Sequence, residues 1–416
     1  MMNLTTRIKL STMMFLEFFI WGSWFVTLGT FLEKNLSASG SQSAAVFSTQ
    51  SWGAIIAPFI IGLIADRFFN AERILGILHI VGALLMYQMY NATDVNVFYP
   101  YVLGYMILFM PTLALVNSVA FNQMNDPEKE FSRIRFWGTI GWIAAGLLIS
   151  YLFLWDSPEN LKSGMLRNTF MMAGIASLVL GVFSFLLPGT PPKVSKDEKV
   201  KLADVLGLDA LKLLKDKNFA IFFISAILIC IPLAFYYQNA NLFLSKIGVS
   251  EPTGKMAIGQ VSEALFLLMI PVFFKRFGFK WTILVGMIAW AVRYTLFAYG
   301  NAGELSFMLI IGIALHGVCY DFFFVSGQIY TNSRAGEKYK SAAQGLITLA
   351  TYGVGMLIGF EVAGWITDSY KLSDGSVDWK MVWIIPAGIA LAVFLLFSLL
   401  FTDKTKDVDG IALNNA

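Results

Sequence analysis

Twelve apolar stretches run the length of this 416-residue chain. A helix that crosses a bilayer needs about 20 consecutive apolar residues. Apolar residues make up 57% of the chain and charged residues 14%, against about 45–50% and about 25% in soluble proteins. We therefore predict an all-α protein embedded in a lipid bilayer, with twelve transmembrane helices over 10–32, 45–65, 72–91, 98–122, 134–155, 166–188, 218–244, 256–274, 281–299, 305–330, 341–369 and 380–401.

Ionisable residues interrupt these apolar stretches at a few positions. A charge at the centre of a bilayer costs about 2.5–3.5 kcal/mol on insertion scales, so such residues usually face a partner or a wet cavity. We therefore expect the function to lie in a polar interior site. The residues concerned are Glu17, Arg135, Glu263, Arg293, His316 and Asp321.

The basic residues indicate the orientation. With both termini in the cytoplasm, most of the 30 Lys and Arg fall in cytoplasmic segments, as expected for membrane proteins. This orientation requires an even number of spans. The first stretch is too long for the apolar part of a signal peptide and is interrupted by Glu17, so we expect a retained helix. The net charge of +3 is too small to indicate a nucleic-acid partner.

A polar stretch separates two sets of six predicted helices. We expect an N-terminal half over 1–188, a cytoplasmic linker over 189–217 and a C-terminal half over 218–416. Within the linker, Leu202–Leu214 is amphipathic enough to lie along the membrane surface. GLIADRFFNAERIL, from Gly62, and PVFFKRFGFKWTIL, from Pro271, occupy matching places in the two halves. This layout, with the short basic turn after Gly62, resembles the major facilitator superfamily, whose members bind substrate at the midplane.

Polar residues in the first half share helical faces. Arg135, Thr139 and Trp142 are spaced i, i+4, i+7, which places a cation, a hydroxyl and an aromatic ring on one face of the fifth span. The alternative is an Arg that reaches the cytoplasmic surface and a Trp packed against lipid. Glu17 begins a similar face on the first span, with Trp21 and Trp24.

The second half carries further candidates. Gln260 and Glu263 are i, i+3 on the eighth span, where an amide and a carboxylate can hold vicinal hydroxyls, and a buried carboxylate can also carry a proton. On the tenth span, Asp321 is a candidate proton site or partner for Arg135, with helix–helix hydrogen bonding as the alternative. The remaining polar candidates, on spans seven and ten, are Tyr237, Gln238, His316 and Tyr320.

Other polar and sulfur-containing residues have simpler interpretations. We expect His79 to be a core residue and Arg293 to form a structural ion pair. Cys230 and Cys319 have no metal-ligand spacing, so we expect buried apolar roles for them. The sequence contains no Walker loop, no Ser-His-Asp arrangement and no metal cluster, which predicts no enzymatic activity, no cofactor, no metal and no direct use of ATP.

Motifs in order over nearly the whole chain carry a family resemblance: WGSWFVTLGTF at 21, GLIADR at 62, MPTLALVNS at 110, RIRFWGTIGW at 133, LGLDALKLLKDKNFAIFF at 206, QVSEALF at 260, WAVRYTLFAYG at 290, YDFFFVSG at 320 and SAAQGL at 341. Together they resemble the nucleoside:proton symporter family of the major facilitator superfamily. The resemblance implies uptake of nucleosides with protons. Matched by motif, it implies a binding cavity that includes Arg135, Thr139, Trp142, Gln260, Glu263, Tyr320 and Asp321.

The physical properties of a nucleoside agree with this set of residues. A flat base stacks on aromatic rings such as Trp142 and Tyr320, and ribose hydroxyls suit Gln260 and Glu263. The chain departs from the family pattern at several positions that bear on base preference. Trp142 and Tyr320 stand where the family leads us to expect Phe. The amides of span seven are shifted to positions 238, 239 and 241. His316 replaces an expected Tyr, and Glu17 replaces an expected amide.

The leading hypothesis is a monomeric secondary transporter in the bacterial inner membrane, which imports nucleosides by proton symport and alternating access. Glu263, Asp321 and Glu17 are the candidates for proton coupling. A sugar or glycoside proton symporter is the alternative within the same class. A non-transporting membrane receptor or a membrane enzyme fits the interior charges less well, and a drug exporter fits the many directional hydrogen-bonding groups less well.

Overall fold

The computed structural model describes residues 3–60, 69–124, 127–192 and 208–402, with all their side chains except those of 127–129, 208–209 and 336–341. These residues are almost entirely helical, as the all-α prediction requires. The chain forms two compact units. The first comprises Met1–Lys201 and Val249–Ala257, and the second comprises Leu202–Gly248 and Ile258–Ala416.

The first unit begins with helices whose starts are fixed by polar caps. The Asn3 side chain accepts the Thr6 N–H at 2.7 Å, and Asp94 Oδ1 accepts the N–H groups of Asn96 and Val97. Such caps satisfy N–H groups that the helix itself leaves unpaired. The helices are α1 (Leu4–Trp24), α2 (Leu28–Leu36), α3 (Gly40–Ile60), α4 (Ala71–Asn91), α5 (Val95–Asn122), α6 (Pro127–Leu147), which continues as a π-helix over Leu148–Leu152, α7 (Pro158–Lys162) and α8 (Asn168–Ser184).

The second unit contains the remaining helices, except for the first turn of one of them. Gly278, with φ 73° and ψ 177°, breaks the longest of them into two helical parts, which match the predicted eighth and ninth spans. Glycine has no Cβ and adopts this backbone conformation without steric cost. The helices are α9 (Lys217–Lys246), α10 (Pro252–Tyr299), α11 (Ser306–Ala314), α12 (His316–Tyr320), α13 (Ser326–Thr348), α14 (Met356–Ser369) and α15 (Trp379–Leu400), with π-helices over Asp321–Val325 and Leu349–Gly355.

The described helices correspond to the predicted spans. In the described part of the chain, ten helical segments are long and apolar enough to cross a membrane, and the segment Pro252–Tyr299 covers two of the predicted spans. The predicted second span begins on Gly40–Ile60, and its last residues, 61–65, lie outside the described part of the chain. The membrane character is confirmed, whereas the exact count of twelve stays a prediction.

The described part of the linker is helical. Leu208–Lys215 forms a 3₁₀ helix, and Ala210 is buried against Ala335, Ala343 and Leu346. One face of this stretch therefore packs on the second unit, and its position along a membrane surface stays a prediction. The preceding part, 193–207, lies outside the described residues, as does most of the predicted basic turn after Gly62 (residues 61–68).

The first turn of α10 belongs to the first unit because two side chains beyond α6 hold it. Asp156 Oδ2 accepts the Thr253 N–H at 3.1 Å, and Ser150 Oγ accepts the Gly254 N–H at 2.7 Å. The Ser150 hydroxyl in turn donates to Asp156 at 2.6 Å. A carboxylate and a hydroxyl thus cap the positive end of the α10 helix dipole.

Helices α1 and α6 approach closely at Gly141. A Cβ added at this position would clash with the Phe15 carbonyl oxygen and would lie 3.1 Å from the Phe19 nitrogen. Both contacts are with backbone, which cannot turn away as a side chain can. The α1–α6 contact therefore depends on the missing side chain of Gly141.

We expect Gly141→Ala to lower the melting temperature of the purified protein, with a destabilisation of about 1–3 kcal/mol, typical of overpacking in a tight core. Intrinsic tryptophan fluorescence during heating in detergent measures the effect. Gly388→Ala is the matched control, because an added Cβ there meets no atom within 4 Å. Equal melting temperatures for the two variants would contradict this view of the α1–α6 contact.

Candidate functional site

The predicted face of α6 lies against α1 in the first unit. The Arg135 guanidinium lies 3.9 Å from the centroid of the Phe18 ring. The ring of Trp142 meets that of Trp21 edge-on, with centroids 5.6 Å apart. Thr139 is half-buried on the same face, whereas Trp137 on the neighbouring stripe is 44% exposed. This arrangement favours an interior position for Trp142 over the lipid-facing alternative.

The predicted face on α1 divides between two environments. Trp21 is half-buried, and its indole N–H has no hydrogen-bond partner among the described residues. Trp24 is completely buried among Tyr105 and Phe170, so it belongs to the packed interior of the unit. Trp21 is therefore the member of this face that supplies an aromatic wall beside Trp142.

Glu17 is the centre of a buried hydrogen-bond network. Its Oε2 lies 2.8 Å from His79 Nε2, and its Oε1 accepts the Thr112 hydroxyl at 2.6 Å. His79 Nδ1 lies 3.0 Å from Ser177 Oγ. The network joins α1, α4, α5 and α8. His79 is buried in the core, as predicted, and it is also the hydrogen-bond partner of a buried acid.

His316 is the centre of a second network, in the second unit. Its Nδ1 lies 3.0 Å from Arg293 Nη1, and its Nε2 lies 3.7 Å from Glu263 Oε2. A guanidinium can only donate hydrogen bonds, so Nδ1 must be the acceptor. The imidazole proton therefore sits on Nε2, on the side of the Glu263 carboxylate.

Arg293 is completely buried, and its contacts differ from the prediction of a structural ion pair. Its guanidinium lies 3.6 Å from the centroid of the Tyr236 ring, in addition to the hydrogen bond to His316. Its Nε and Nη2 have no hydrogen-bond partner among the described residues. Aromatic faces and an imidazole lone pair thus hold this cation, which makes the ion-pair prediction wrong.

Close helix packing brings Glu263 to His316. A Cβ at Gly317 would lie 2.6 Å from the Glu263 nitrogen, so the backbones of α10 and α12 touch at this point. The Ser262 hydroxyl donates to the Ala314 carbonyl oxygen and ties the same two segments together. The Glu263 side chain remains 22% exposed, so its carboxylate is accessible as well as paired.

Tyr320 and Asp321 lie where the helix becomes irregular. Asp321 opens the π-helix Asp321–Val325 and is only 1% exposed, and its Oδ2 has no hydrogen-bond partner among the described residues. The Tyr320 hydroxyl lies 2.5 Å from that of Tyr352, which belongs to the π-helix Leu349–Gly355. Such π-helical turns occur frequently at functional sites.

The polar stretch of α9 is mostly turned inward. Gln238 and Asn239 are buried, and Asn239 Nδ2 donates to Thr367 Oγ1 at 3.1 Å. Tyr237 is half-buried, as is Gln260 on α10. Sequence reasoning missed Thr112 and Ser177 in the Glu17 network, and Tyr352 beside Tyr320. Hydroxyl-bearing residues are common in membrane helices, so composition gives no signal that singles these out.

Comparisons with known proteins show the family to which this chain belongs. The family model described as "Nucleoside H+ symporter" matches residues 2–406. A protein of Escherichia coli (strain K12) named as a candidate nucleoside transporter, YegT, is 40% identical over 99% of this chain and 97% of its own. The xanthosine permease of the same organism is 34% identical over 95% of each chain. A crystal structure of the nucleoside transporter NupG superposes with a TM-score of 0.85 at 30% identity and covers 96% of this chain and 100% of its own.

The geometry predicts the tautomer of His316. The chain has only two histidines, so protein labelled with ¹⁵N-histidine gives the signals of two imidazoles, and His79→Asn assigns them. We expect His316 to show a protonated Nε2 and a bare Nδ1, because Arg293 occupies the Nδ1 lone pair. A protonated Nδ1 would contradict the hydrogen-bond assignment.

Two arginine variants make this measurement specific. Arg293→Met removes the donor and should let both tautomers of His316 be populated. Arg276→Met is the matched control, because Arg276 is an exposed residue of the same long helical segment. It should leave both imidazole signals unchanged.

Proposed function

Because the chain belongs to the nucleoside H⁺ symporter family, we propose that it is a secondary transporter that imports nucleosides together with protons. The family match over residues 2–406 carries this proposal. The resemblance drawn from the sequence motifs is confirmed, and so is the expected major facilitator superfamily fold. We propose that the protein is a monomer in the bacterial inner membrane. In this proposal both termini lie in the cytoplasm, because the basic residues concentrate on that side.

Trp142 is our candidate for stacking on the nucleoside base. Its ring is half-buried and is held by Trp21 and by close contact with Gly22. A ring that the protein already fixes loses little freedom when it binds a flat ligand. Arg135 and Thr139 share its helix face and would bind polar atoms of the base or ribose. In the second unit, Tyr320 would offer a further aromatic surface, supported by its hydroxyl contact with Tyr352.

Glu263 and Gln260 are our candidates for the ribose hydroxyls. Since the Glu263 side chain is partly exposed while His316 is buried, a hydroxyl can reach the carboxylate more readily than the imidazole. The Nε2–H of His316 points to Glu263, which supports a role for His316 and Arg293 in orienting that carboxylate. Tyr237 and Gln238, on α9, are the remaining candidates for substrate contact.

Proton coupling requires a group that changes protonation during transport. The candidates are Glu17, Glu263 and Asp321. Asp321 is buried, with one carboxylate oxygen unpartnered among the described residues, an arrangement that favours a carboxyl group able to hold a proton. Transport driven by such groups needs neither ATP nor a catalytic centre, and we propose a transporter rather than an enzyme.

The alternatives have less support. A sugar or glycoside symporter would also use stacking and carboxylates, but the description of the matching family names nucleosides as its substrates. The chain-long match to a transporter family also argues against a non-transporting receptor.

Purified protein in liposomes should accumulate nucleosides when an inward proton gradient is imposed, because proton entry supplies the free energy. Radiolabelled adenosine, uridine and xanthosine, with sucrose as the alternative substrate, form the test panel. An uncoupler should abolish accumulation. Equal accumulation with and without the gradient, at fixed membrane potential, would overturn proton coupling, and uptake of sucrose alone would overturn the substrate class.

Trp142→Ala should weaken nucleoside binding by about 1–3 kcal/mol, the range measured for base–aromatic stacking. Trp142→Phe should keep most of the affinity because a flat ring remains. Calorimetric titration of purified variants measures the difference. Trp137→Ala is the matched control, since Trp137 lies on the same helix but on an exposed stripe. Unchanged affinity in Trp142→Ala would exclude stacking on this ring.

A further inference from the structure

Glu17 and His79 form a buried, hydrogen-bonded acid–base pair inside the first unit. Both are buried, with 0% and 2% of their surface exposed. The contact of 2.8 Å between Glu17 Oε2 and His79 Nε2 is a full hydrogen bond, and it joins α1 to α4 across 62 residues of sequence. An acid and a base this far from solvent persist only when their polar atoms are satisfied, so the protons in the network can be counted.

One arrangement of the protons follows from Ser177. Its hydroxyl lies 2.9 Å from the His79 carbonyl oxygen and 3.0 Å from His79 Nδ1. If the hydroxyl donates to the carbonyl, its oxygen accepts Nδ1–H, so Nδ1 carries a proton. A second proton must then lie between Nε2 and Glu17, because two lone pairs 2.8 Å apart would repel each other. The pair then has no net charge, whichever of the two atoms holds the shared proton.

Rotation of the same hydroxyl gives a second arrangement with one proton fewer. The Ser177 hydroxyl now donates to Nδ1, and the only imidazole proton lies on Nε2, where it donates to the Glu17 carboxylate. The Thr112 hydroxyl lies 2.6 Å from the other carboxylate oxygen and 2.5 Å from the Phe109 carbonyl oxygen, and in this arrangement its one proton is donated to the carboxylate. Each polar atom of the pair again has a partner. The site can therefore gain or lose a proton, through Nδ1, without the movement of any heavy atom.

The described residues around the pair offer mainly hydroxyl groups. From α5 it faces the hydroxyls of Thr112 and Tyr105, and Tyr105 is close enough to interact electrostatically with Glu17. From α8 it faces Ser177. On α6, the guanidinium of Arg135 stacks on Phe18, the residue next to Glu17.

We propose that Glu17 and His79 form a proton-binding site that loads and releases the co-transported proton. This inference rests on the proposed proton symport and assigns one of its proton steps to the first unit. Glu17 lies one helical turn from Trp21, whose ring contacts Trp142. A change of charge in the pair therefore acts on α1, the helix that supports the proposed base-stacking residue.

Glu17→Gln separates proton binding from substrate binding. The amide can accept from Thr112 and donate to His79 Nε2, so the network keeps its hydrogen bonds but loses its acid. In liposomes we expect this variant to retain nucleoside counterflow, an exchange that needs no net proton movement, and to lose accumulation driven by a proton gradient. Wild-type accumulation in this variant would overturn the proposal, as would loss of counterflow in protein that remains folded.

Glu72→Gln is the matched control. Glu72 is a buried carboxylate on the same helix as His79, and it accepts hydrogen bonds from Asn70 and from the Thr190 N–H at 2.9 and 2.8 Å. Glu72 is not part of the proposed proton site, so we expect Glu72→Gln to retain gradient-driven accumulation. Loss of accumulation in Glu72→Gln as well would mean that removal of any buried acid has the same effect, and would overturn the assignment to Glu17.

Imidazole spectroscopy tests the site without transport. In ¹⁵N-histidine-labelled wild type, His79 Nδ1 should pass from protonated to bare as the pH rises, and Glu17→Gln should remove this transition. Ser177→Ala should change the pH at which it occurs, because the second arrangement loses its donor to Nδ1. An unchanging His79 over the pH range in which transport operates would overturn the proposal. If wild type accumulates no nucleoside, the proposed function fails, while this titration still decides the proton site.

Discussion

The cost of an ionisable side chain at bilayer depth governs the interior of both units. A buried charge that lacks partners is expensive in hydrocarbon, and several of the ionisable groups have polar partners on neighbouring helices. Glu17 draws in His79 and Thr112, and Glu263 lies beside His316, which in turn accepts a hydrogen bond from Arg293. These bonds connect helices that are distant in sequence. The polar networks therefore fix helix positions as well as chemistry.

Both histidines of the chain lie between a group on Nδ1 and a carboxylate on Nε2, but the Nδ1 partners differ in kind. Arg293 only donates, so His316 keeps a bare Nδ1 and directs its single proton toward Glu263. Ser177 can donate or accept, so His79 accommodates either protonation state. The difference between a guanidinium and a hydroxyl on Nδ1 thus gives the two histidines different roles. His316 can orient a carboxylate, whereas His79 can carry a proton.

The sequence was sufficient to predict the helices because the bilayer allows few other structures. Apolar length located the predicted spans, and Glu17 was identified as a candidate for proton coupling from its position alone. The π-helix at Asp321–Val325 could not be predicted, since the altered hydrogen-bond pattern has no signature in composition. The partner of Glu17 could not be predicted either, because His79 is 62 residues away and meets it only through the packing of α1 and α4.

Close backbone contacts explain why that packing determines the networks. Gly141 lets α1 rest on α6, and Gly317 lets α12 rest on α10 beside Glu263. Hydrogen bonds of 2.8 to 3.0 Å tolerate little displacement, so a helix that moved by the width of a methyl group would break them. A transporter must nevertheless change its conformation. Each network lies within a single unit, so its hydrogen bonds depend only on the packing of helices inside that unit.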